Sequence, residues 1–263
     1  MYWRHVVSVE WLKARKDVLT ASEIKAMLPE YKRCLKKKSG ELSPGFFALC
    51  GDKLSVNEPD PVSTGAAARG HILEPYAIED WNKHHPHEKY EHWDDLVIKR
   101  NGIGYSPDGL DGTQTPMMGV ELWSNEANML FTPDKNKIKF CPTRAIEIKC
   151  YEPKAHMKNL IVPKEDRDER LQVAVAFMVL PKLKHVDVLW YCPGAPMEMY
   201  TERYTRHDLE KEIEVITGMV KIFHEHMQLV KDKINNQARA SWTEKQIYDE
   251  YIRTQEDSIM SFG

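Results

Sequence analysis

The segment 145–150 constrains the fold more than any other part of the sequence, because it places charges inside an otherwise apolar strand. Side chains alternate between the two faces of a β-strand, so Ile146 and Ile148 share one face. Glu147 and Lys149 share the other face. A carboxylate and an ammonium group on an inner strand are costly to bury unless they are paired or bind a ligand. The segment therefore predicts a core strand whose second face carries either an ion pair or a functional site.

Patterns along the rest of the chain predict an α/β fold with a mixed central β-sheet flanked by helices. Apolar residues at helical spacing predict helices over residues 8–15, 46–54, 64–83, 166–180 and 208–233. Extended patterns predict strands over 96–98, 103–105, 145–150, 185–191 and 197–204. Asn101-Gly102 predicts a two-residue hairpin turn between the first two of these strands.

The length of 263 residues is enough to bury a sizeable core. We predict a single domain over residues 1–263. Within it we expect an insertion at about 111–144 that contains a hairpin or a long surface loop. We also expect a C-terminal helical region at about 206–255.

The charge of the chain gives no general support for nucleic-acid binding, because the formal net charge is −3 at pH 7. The basic run from Lys32 to Lys38 is more typical of a solvated surface than of a DNA contact. The five cysteines lack C-x-x-C spacing, so we expect free thiols in a reducing compartment. The sequence has no apolar run long enough to span a bilayer and no secretion-signal pattern. We therefore expect a location in a bacterial or host-cell cytoplasm and no membrane partner.

Three further polar residues stand out along the chain. Asp108 lies in a Ser-Pro-Asp-Gly-Leu turn directly after a predicted strand. Glu74 lies on a predicted helix next to Pro75, which we expect to break that helix locally. Gln172 heads the otherwise apolar face of a later helix. Taken one at a time, each of these residues has an ordinary structural explanation.

The order of these residues is more specific than any one of them. A helix Glu, a turn Asp, a strand Glu-x-Lys and a downstream helix Gln occur in this order in the PD-(D/E)XK nuclease superfamily, which the sequence resembles. Within it, the sequence resembles the phage lambda exonuclease-like family of YqaJ-type viral recombinases. The resemblance implies a restriction-endonuclease-like core, and it rests on four blocks between residues 11 and 192: Trp11…Arg15…Thr20-Ala21-Ser22-Glu23, Gly70…Glu74, Ser106-Pro107-Asp108-Gly109-Leu110, and Glu147-Ile148-Lys149-Cys150 followed by Gln172-Val173.

The residue types in these blocks suit a metal site. Carboxylate oxygens are ligands that Mg²⁺ and Mn²⁺ prefer, so Asp108 and Glu147 are candidate metal ligands. The resemblance adds the backbone carbonyl of Ile148 as a further ligand. It also implies two Mg²⁺ ions, for which Mn²⁺ can substitute, with Glu74 serving the second ion or its water shell.

Two more residues complete the expected catalytic group. Lys149 is expected to orient or deprotonate the attacking water, with its pKa lowered by burial and by the metal ions. Gln172 is expected to hold that water or Glu147 by hydrogen bonds. The catalytic prediction therefore comprises Asp108, Glu147, Lys149, Gln172 and Glu74.

The N-terminal block narrows the function through the same resemblance. Arg15, Ser22 and Ser106 match positions that hold the 5′-phosphate of a DNA end, and an arginine fork with hydroxyl donors suits a phosphate. Lys154 and Lys158 follow the predicted catalytic strand and are candidates for contact with the DNA backbone. The resemblance thus implies a 5′→3′ exonuclease that degrades double-stranded DNA from its ends.

The same resemblance implies a role in phage-type recombination. The expected product is a 3′ single strand for a single-strand annealing protein, and the expected assembly is a homo-oligomer, a trimer by resemblance. The segment 111–144 is much longer than the corresponding hairpin of the family, which weakens the inference of a trimer. Two alternatives remain open. One is an endonuclease or DNA end-processing nuclease of different polarity, and the other is a catalytically silent DNA-binding module.

Overall fold

The computed structural model describes residues 4–24, 27, 44–55, 62–93, 96–111, 121–124, 129–131, 142–166 and 169–241. Contacts divide the chain into two compact units, Met1–Val220 and Lys221–Gly263. The first unit holds every strand, and the single domain over 1–263 stays a prediction. The basic run from Lys32 to Lys38 and the predicted helical region beyond residue 241 lie outside the described residues.

The strands and helices have the following bounds. The strands are β1 Arg4–Val6, β2 Leu19–Thr20, β3 Val62–Thr64, β4 Glu91–His92, β5 Val97–Arg100, β6 Ile103–Tyr105, β7 Gly109–Leu110, β8 Glu121–Ser124, β9 Met129–Phe131, β10 Arg144–Lys149, β11 His185–Tyr191 and β12 Met199–Tyr204. The helices are α1 Val9–Ala14, α2 Pro44–Leu54, α3 Gly65–His84, α4 Pro153–Asn159, α5 Arg170–Val179 and α6 Glu210–Ser241. Short 3₁₀ turns cover Lys164–Asp166 and His207–Leu209.

The first five-stranded sheet contains the predicted core strand. Its order is β12-β11-β10-β7-β4, with β10 parallel to β11 and the other neighbours antiparallel. The sheet is therefore mixed, as predicted. Helix α3 packs against β10, and the core between them includes Ala77, Ile78, Trp81, Tyr90, Ile146, Ile148, Cys150, Leu189 and Tyr191. The predicted apolar face of β10 is therefore confirmed.

The second five-stranded sheet has the order β2-β6-β5-β8-β9. The hairpin between β5 and β6 turns at Asn101 and Gly102, which have φ of 51° and 76°. Positive φ at both central residues is the geometry that favours Asn-Gly, so the predicted hairpin is confirmed. Strands β8 and β9 pair with each other, and β8 pairs with β5, so part of the predicted insertion extends this sheet.

The two ends of the insertion are tied together at Asp111. Its Oδ1 accepts a hydrogen bond from the Thr143 backbone N–H at 2.8 Å, and its Oδ2 accepts one from the Thr143 hydroxyl at 2.7 Å. The Arg144 guanidinium lies 3.3 Å from the same Oδ2. Asp111 is 7% exposed, so these bonds satisfy a buried carboxylate.

Helix boundaries follow the predictions with two corrections. Helix α1 begins after Ser8, whose hydroxyl accepts a hydrogen bond from the Trp11 N–H at 3.1 Å. Helix α3 is continuous through Pro75, so the predicted break is wrong. Residues on both sides of the proline are buried in the core, and this packing outweighs the lost backbone hydrogen bond. The helix predicted from residue 166 begins only at Arg170.

Cys50, Cys150 and Cys192 are buried free thiols, while Cys34 and Cys141 lie outside the described residues. Burial raises the pKa of Cys50 to about 11 and that of Cys150 to about 12. Within the described part of the chain, no helix combines the length and the apolar character needed to cross a membrane.

Candidate active site

Asp108 lies where the chain passes from the second sheet to the first. Strand β6 ends at Tyr105 and β7 begins at Gly109, which pairs with Ile146. Two residues further along β10, the Ile148 N–H donates to Asp108 Oδ2 at 2.6 Å. The Asp108 carboxylate thus continues the β10 ladder beyond the start of β7, which fixes its position next to β10.

Gly109 makes this position possible because β7 runs very close to its neighbours. A Cβ at Gly109 would lie 2.7 Å from Ile78 Cδ1 and 2.8 Å from Ile146 Cγ2. It would also lie 3.1 Å from the backbone oxygen of Glu91. Only a residue without a side chain fits between α3 and β10 here. This close packing also fixes the position of the adjacent Asp108.

Glu147 is fully buried on the second face of β10, as the strand pattern predicts. Its Oε2 accepts hydrogen bonds from Lys149 Nζ at 3.3 Å and from Gln172 Nε2 at 2.7 Å. Its Oε1 has no well-formed hydrogen bond in the described part of the chain, although the buried Tyr105 hydroxyl also acts on this carboxyl group and lowers its pKa. Gln172 lies on α5, which packs against β5 and β6. Through its bond to Glu147, this helix also contacts the polar face of β10. The predicted bond from Gln172 to Glu147 is present.

The electrostatics of the site are dominated by buried negative charge. Burial, together with the charges of Glu147 and Glu74, raises the pKa of Asp108 well above its usual range. Burial also raises the pKa of Glu147, although the Lys149 ammonium opposes this shift. Glu74 lies on α3, and its side chain is 14% exposed. The carboxyl groups of Asp108, Glu147 and Glu74, which lie on a turn, a strand and a helix, therefore interact electrostatically.

The lowering of the Lys149 pKa by burial and metal ions stays a prediction, because the protein's own groups together act in the opposite direction. Burial alone lowers this pKa, but the charges of Glu147, Asp108 and Glu74 outweigh it and raise the pKa above its usual value. The net direction is upward because the carboxylates are close and uncompensated.

The donor set suits a hard cation. A buried carboxylate oxygen without a partner is costly, and a cation next to Glu147 Oε1 would remove that cost. In an extended strand the N–H and C=O of one residue face the same edge, so the Ile148 carbonyl faces the edge that Asp108 occupies. In the described part of the chain, no three His, Cys, Asp or Glu side chains form a ready-made metal group. The fitting set is therefore Asp108, Glu147 and the Ile148 carbonyl, and a role for Glu74 stays a prediction.

Arg15 forms a second polar cluster. Its guanidinium donates to the hydroxyl oxygens of Ser22 at 2.8 Å and Thr20 at 3.3 Å. It also lies over the Trp11 ring, 4.2 Å from the centroid. The Thr20 N–H donates to Glu23 Oε2 at 2.8 Å, which is one half of a capping box. The sequence analysis assigned a phosphate role to Arg15 and Ser22 but none to Thr20, whose hydroxyl accepts the second bond from Arg15.

The sheet places this cluster at the same edge as Asp108. Strand β2 pairs in parallel with β6, with Thr20 opposite Gly104. Parallel strands leave a sheet at the same edge, so Ser22 and Ser106 both follow the strand ends there. The register supports the predicted association of Ser106 with Arg15, and the role of these residues stays a prediction.

Other predicted and missed residues surround β10. Lys154 and Lys158 are exposed on α4, and His156 between them is buried and bonded to the Met197 carbonyl at 2.7 Å. Arg69, which sequence reasoning missed, is buried on α3 and donates to the Cys150 carbonyl at 2.5 Å. No local sequence signal identifies Arg69, because its burial and its contact with Cys150 arise only in the folded structure.

The fold described above is that of the restriction-endonuclease-like nucleases, as the sequence resemblance implied. Among solved structures, the chain is similar to the alkaline exonuclease LHK-Exo from Laribacter hongkongensis, with 21% identity and a TM-score of 0.58 over 88% of this chain and 100% of that chain. The same enzyme in complex with dAMP gives 22% identity and a TM-score of 0.58 over the same shares.

A phage-related exonuclease from Haemophilus somnus 129PT is also similar, with 10% identity and a TM-score of 0.51 over 82% of this chain and 96% of that chain. No protein-family model and no curated protein matches the sequence. The resemblance to lambda exonuclease-like proteins is therefore confirmed at the level of the fold.

Proposed function

We propose that the protein is a metal-dependent exonuclease of the lambda exonuclease-like family, which degrades double-stranded DNA from its ends in the 5′→3′ direction. The observation that carries the proposal is the buried Glu147 carboxylate. One of its oxygens is held by Lys149 and Gln172, and the other has no well-formed hydrogen bond in the described part of the chain, where the buried Tyr105 hydroxyl is the further group that acts on this carboxylate. The structural likeness to exonucleases supports the nuclease part of the proposal.

The proposed cofactor is Mg²⁺, for which Mn²⁺ can substitute, with two ions in the complete site. Asp108, Glu147 and the Ile148 carbonyl would hold one ion, and Glu74 would serve the other or its water shell. When bound, the ions lower the pKa of a coordinated water and stabilise the charge that develops on the phosphodiester.

The chain's own residues orient this reaction. Lys149, whose Nζ lies 3.3 Å from Glu147 Oε2, would orient or deprotonate the attacking water. Gln172 donates to Glu147 Oε2 at 2.7 Å and so fixes which carboxylate oxygen is left for the metal. The Ile148 N–H does the same for Asp108. These two bonds reduce the reorganisation needed when substrate binds.

The proposed polarity depends on the Arg15 cluster. Arg15, Thr20 and Ser22 present one guanidinium and two hydroxyl groups within a small volume, and Ser106 lies at the same edge of the sheet. This donor set suits the 5′-phosphate of a DNA end. An enzyme that anchors a 5′ end and cuts nearby removes nucleotides from that strand. The complementary strand is then left as a 3′ single-stranded overhang.

The proposed partners follow from this product. The 3′ single strand would be the substrate of a single-strand annealing protein in recombination, and the active assembly would be a homo-oligomer. Lys154 and Lys158, both exposed on the helix after the catalytic strand, would contact the DNA backbone.

The decisive experiment is degradation of linear duplexes labelled on one strand, with 5′-phosphate or 5′-hydroxyl ends, in Mg²⁺ or EDTA. The proposal expects loss of the 5′-phosphorylated strand in Mg²⁺ only, and no cutting of closed circular DNA. Cutting of circles would instead identify an endonuclease. Binding of DNA without degradation in Mg²⁺ or Mn²⁺ would identify a silent DNA-binding module.

Two variants connect this activity to the proposed residues. Lys149→Ala is expected to abolish cleavage while DNA binding persists, and Arg15→Ala is expected to weaken selectively the preference for phosphorylated ends. Lys182→Ala, at an exposed position, is the matched control for loss of one positive charge. Normal cleavage by Lys149→Ala would remove Lys149 from the mechanism.

A further inference from the structure

Lys53 reaches the Arg15 cluster from a different part of the chain. It lies in the last turn of α2, and its side chain is only 4% exposed. Its Nζ donates to the backbone oxygen of Arg15 at 2.8 Å and lies 2.8 Å from Glu23 Oε2. A buried ammonium group with these two partners is held firmly in place.

Glu23 is the negative group that acts on Arg15. Burial lowers the pKa of Arg15, and the Glu23 charge opposes that shift, so the two side chains interact electrostatically. Among the residues that the structure describes, the ion pair of Glu23 is nevertheless with Lys53. Glu23 Oε2 also accepts the Thr20 N–H, which fixes this carboxylate at the helix start.

The three charged groups border one shared space. A cavity of about 290 Å³ is lined by Leu12, Arg15, Lys16, Glu23, Asp52 and Lys53. A guanidinium bound to a carboxylate gives up the donors that a phosphate would use. In the structure, Arg15 instead donates to two neutral hydroxyl groups, which a phosphate can displace more easily than a carboxylate.

We propose that Lys53 is a positioning residue that keeps Arg15 available for the DNA 5′-phosphate by holding Glu23 in an ion pair of its own. Without the Lys53 ammonium, the Glu23 carboxylate pairs with Arg15 and competes with the phosphate. The inference rests on the proposed role of Arg15 in binding the 5′ end. It adds a specificity-determining residue that touches neither the substrate nor the metal.

The test compares cleavage of duplexes with 5′-phosphate and 5′-hydroxyl ends by the full-length protein in Mg²⁺. The preference for phosphate, measured as the ratio of kcat/KM values, is expected to fall about tenfold in Lys53→Met, the scale of one charge-assisted hydrogen bond. The loss should lie in KM for the phosphorylated substrate. Lys53→Arg, which keeps the cation, should retain most of the preference.

The rescue variant separates this mechanism from simple damage to the fold. Glu23→Gln keeps an acceptor for the Thr20 N–H but removes the competing charge. The double variant Lys53→Met/Glu23→Gln should therefore regain the wild-type preference. Failure of this rescue, or a wild-type ratio in Lys53→Met, overturns the proposal. If Lys53→Met does not fold because it leaves a buried carboxylate unpaired, the double variant alone carries the test, and loss of the preference there overturns it.

Lys16→Met is the matched control. Lys16 lines the same cavity and its Nζ donates to the Ser55 carbonyl at 2.9 Å, so the substitution removes the same charge nearby. Its ratio should equal that of the wild type, and an equal fall would assign the effect to net charge and overturn the proposal. A wild-type protein that degrades DNA without any preference for 5′-phosphate would refute the proposed end recognition itself, which is a distinct outcome.

Discussion

Gly109 offers a direct test of the packing that holds Asp108 in the site. In Gly109→Ala the new Cβ would lie 2.7 Å from Ile78 Cδ1 and 2.8 Å from Ile146 Cγ2. Favourable carbon–carbon contacts lie at about 3.5–4.0 Å, so both neighbours must move by roughly 1 Å. Both belong to the buried core between α3 and β10, which cannot yield freely.

The expected cost follows from this overlap. Overpacking of a well-packed core costs about 1–3 kcal/mol, and two simultaneous overlaps place Gly109→Ala near the upper end of that range. For a chain of this size the melting temperature should fall by about 4–12 °C. Because Asp108 is the next residue, its shift should also lower kcat by about 10- to 100-fold.

Gly51→Ala is the matched control for the same chemical change. Gly51 is exposed on α2, and a Cβ there would meet nothing within 4 Å. Alanine is the better helix former, so this variant should gain about 0.5–1 kcal/mol. Chemical denaturation gives both free energies of unfolding, and end-labelled DNA gives both rates. A Gly109→Ala protein with the stability and activity of the wild type would refute the argument.

Three further predictions follow from other parts of the structure. The buried carboxyl groups of the site have raised pKa values when folded, so their contribution to stability is present at low pH and lost as pH rises. Mg²⁺ binds their ionised forms, so the rise in melting temperature from EDTA to Mg²⁺ should be larger at pH 8 than at pH 5.5. An equal or absent rise would contradict a metal site there. Cys50 and Cys150 have raised pKa values and should not react with a thiol reagent at pH 8 unless the protein is unfolded, and rapid labelling of the native protein would contradict their burial. Arg203 Nε lies 2.7 Å from Oδ1 of the fully buried Asp187, but Arg203 itself is 43% exposed and the Tyr90 hydroxyl still donates to Oδ2, so Arg203→Leu should cost about 1–3 kcal/mol in a denaturation experiment. In Arg203→Leu/Asp187→Asn much of that loss should be recovered, and equal stability of the single and double variants would contradict the pairing.

Local rules predicted the parts of the site that lie on one element. The strand period places Glu147 and Lys149 on one face, and the two side chains are hydrogen-bonded there. The positive φ values that Asn101 and Gly102 readily adopt fixed the hairpin that leads to Asp108. In both cases the information lies within a few residues of sequence.

The remaining features depend on residues that are far apart in the chain. Lys53 contacts Arg15 across 38 residues, and Arg69 contacts Cys150 across 81 residues. The hydrophobic periodicity of the sequence does not predict such pairs, because they form only when the helices pack. The upward effect of the protein's own charges on the Lys149 pKa is invisible to local rules for the same reason, since it is the sum of charges that separate parts of the chain bring together.

Asp111 has a consequence for how this chain can change. Since Thr143 and Asp111 bind each other directly, the segment between them begins and ends at one fixed point. These bonds hold the start of β10 in place, while β8 is separately tied to β5. Evolution or an engineer can therefore change the residues of this segment outside β8 and β9, and Glu147 and Lys149 would remain in register with Asp108.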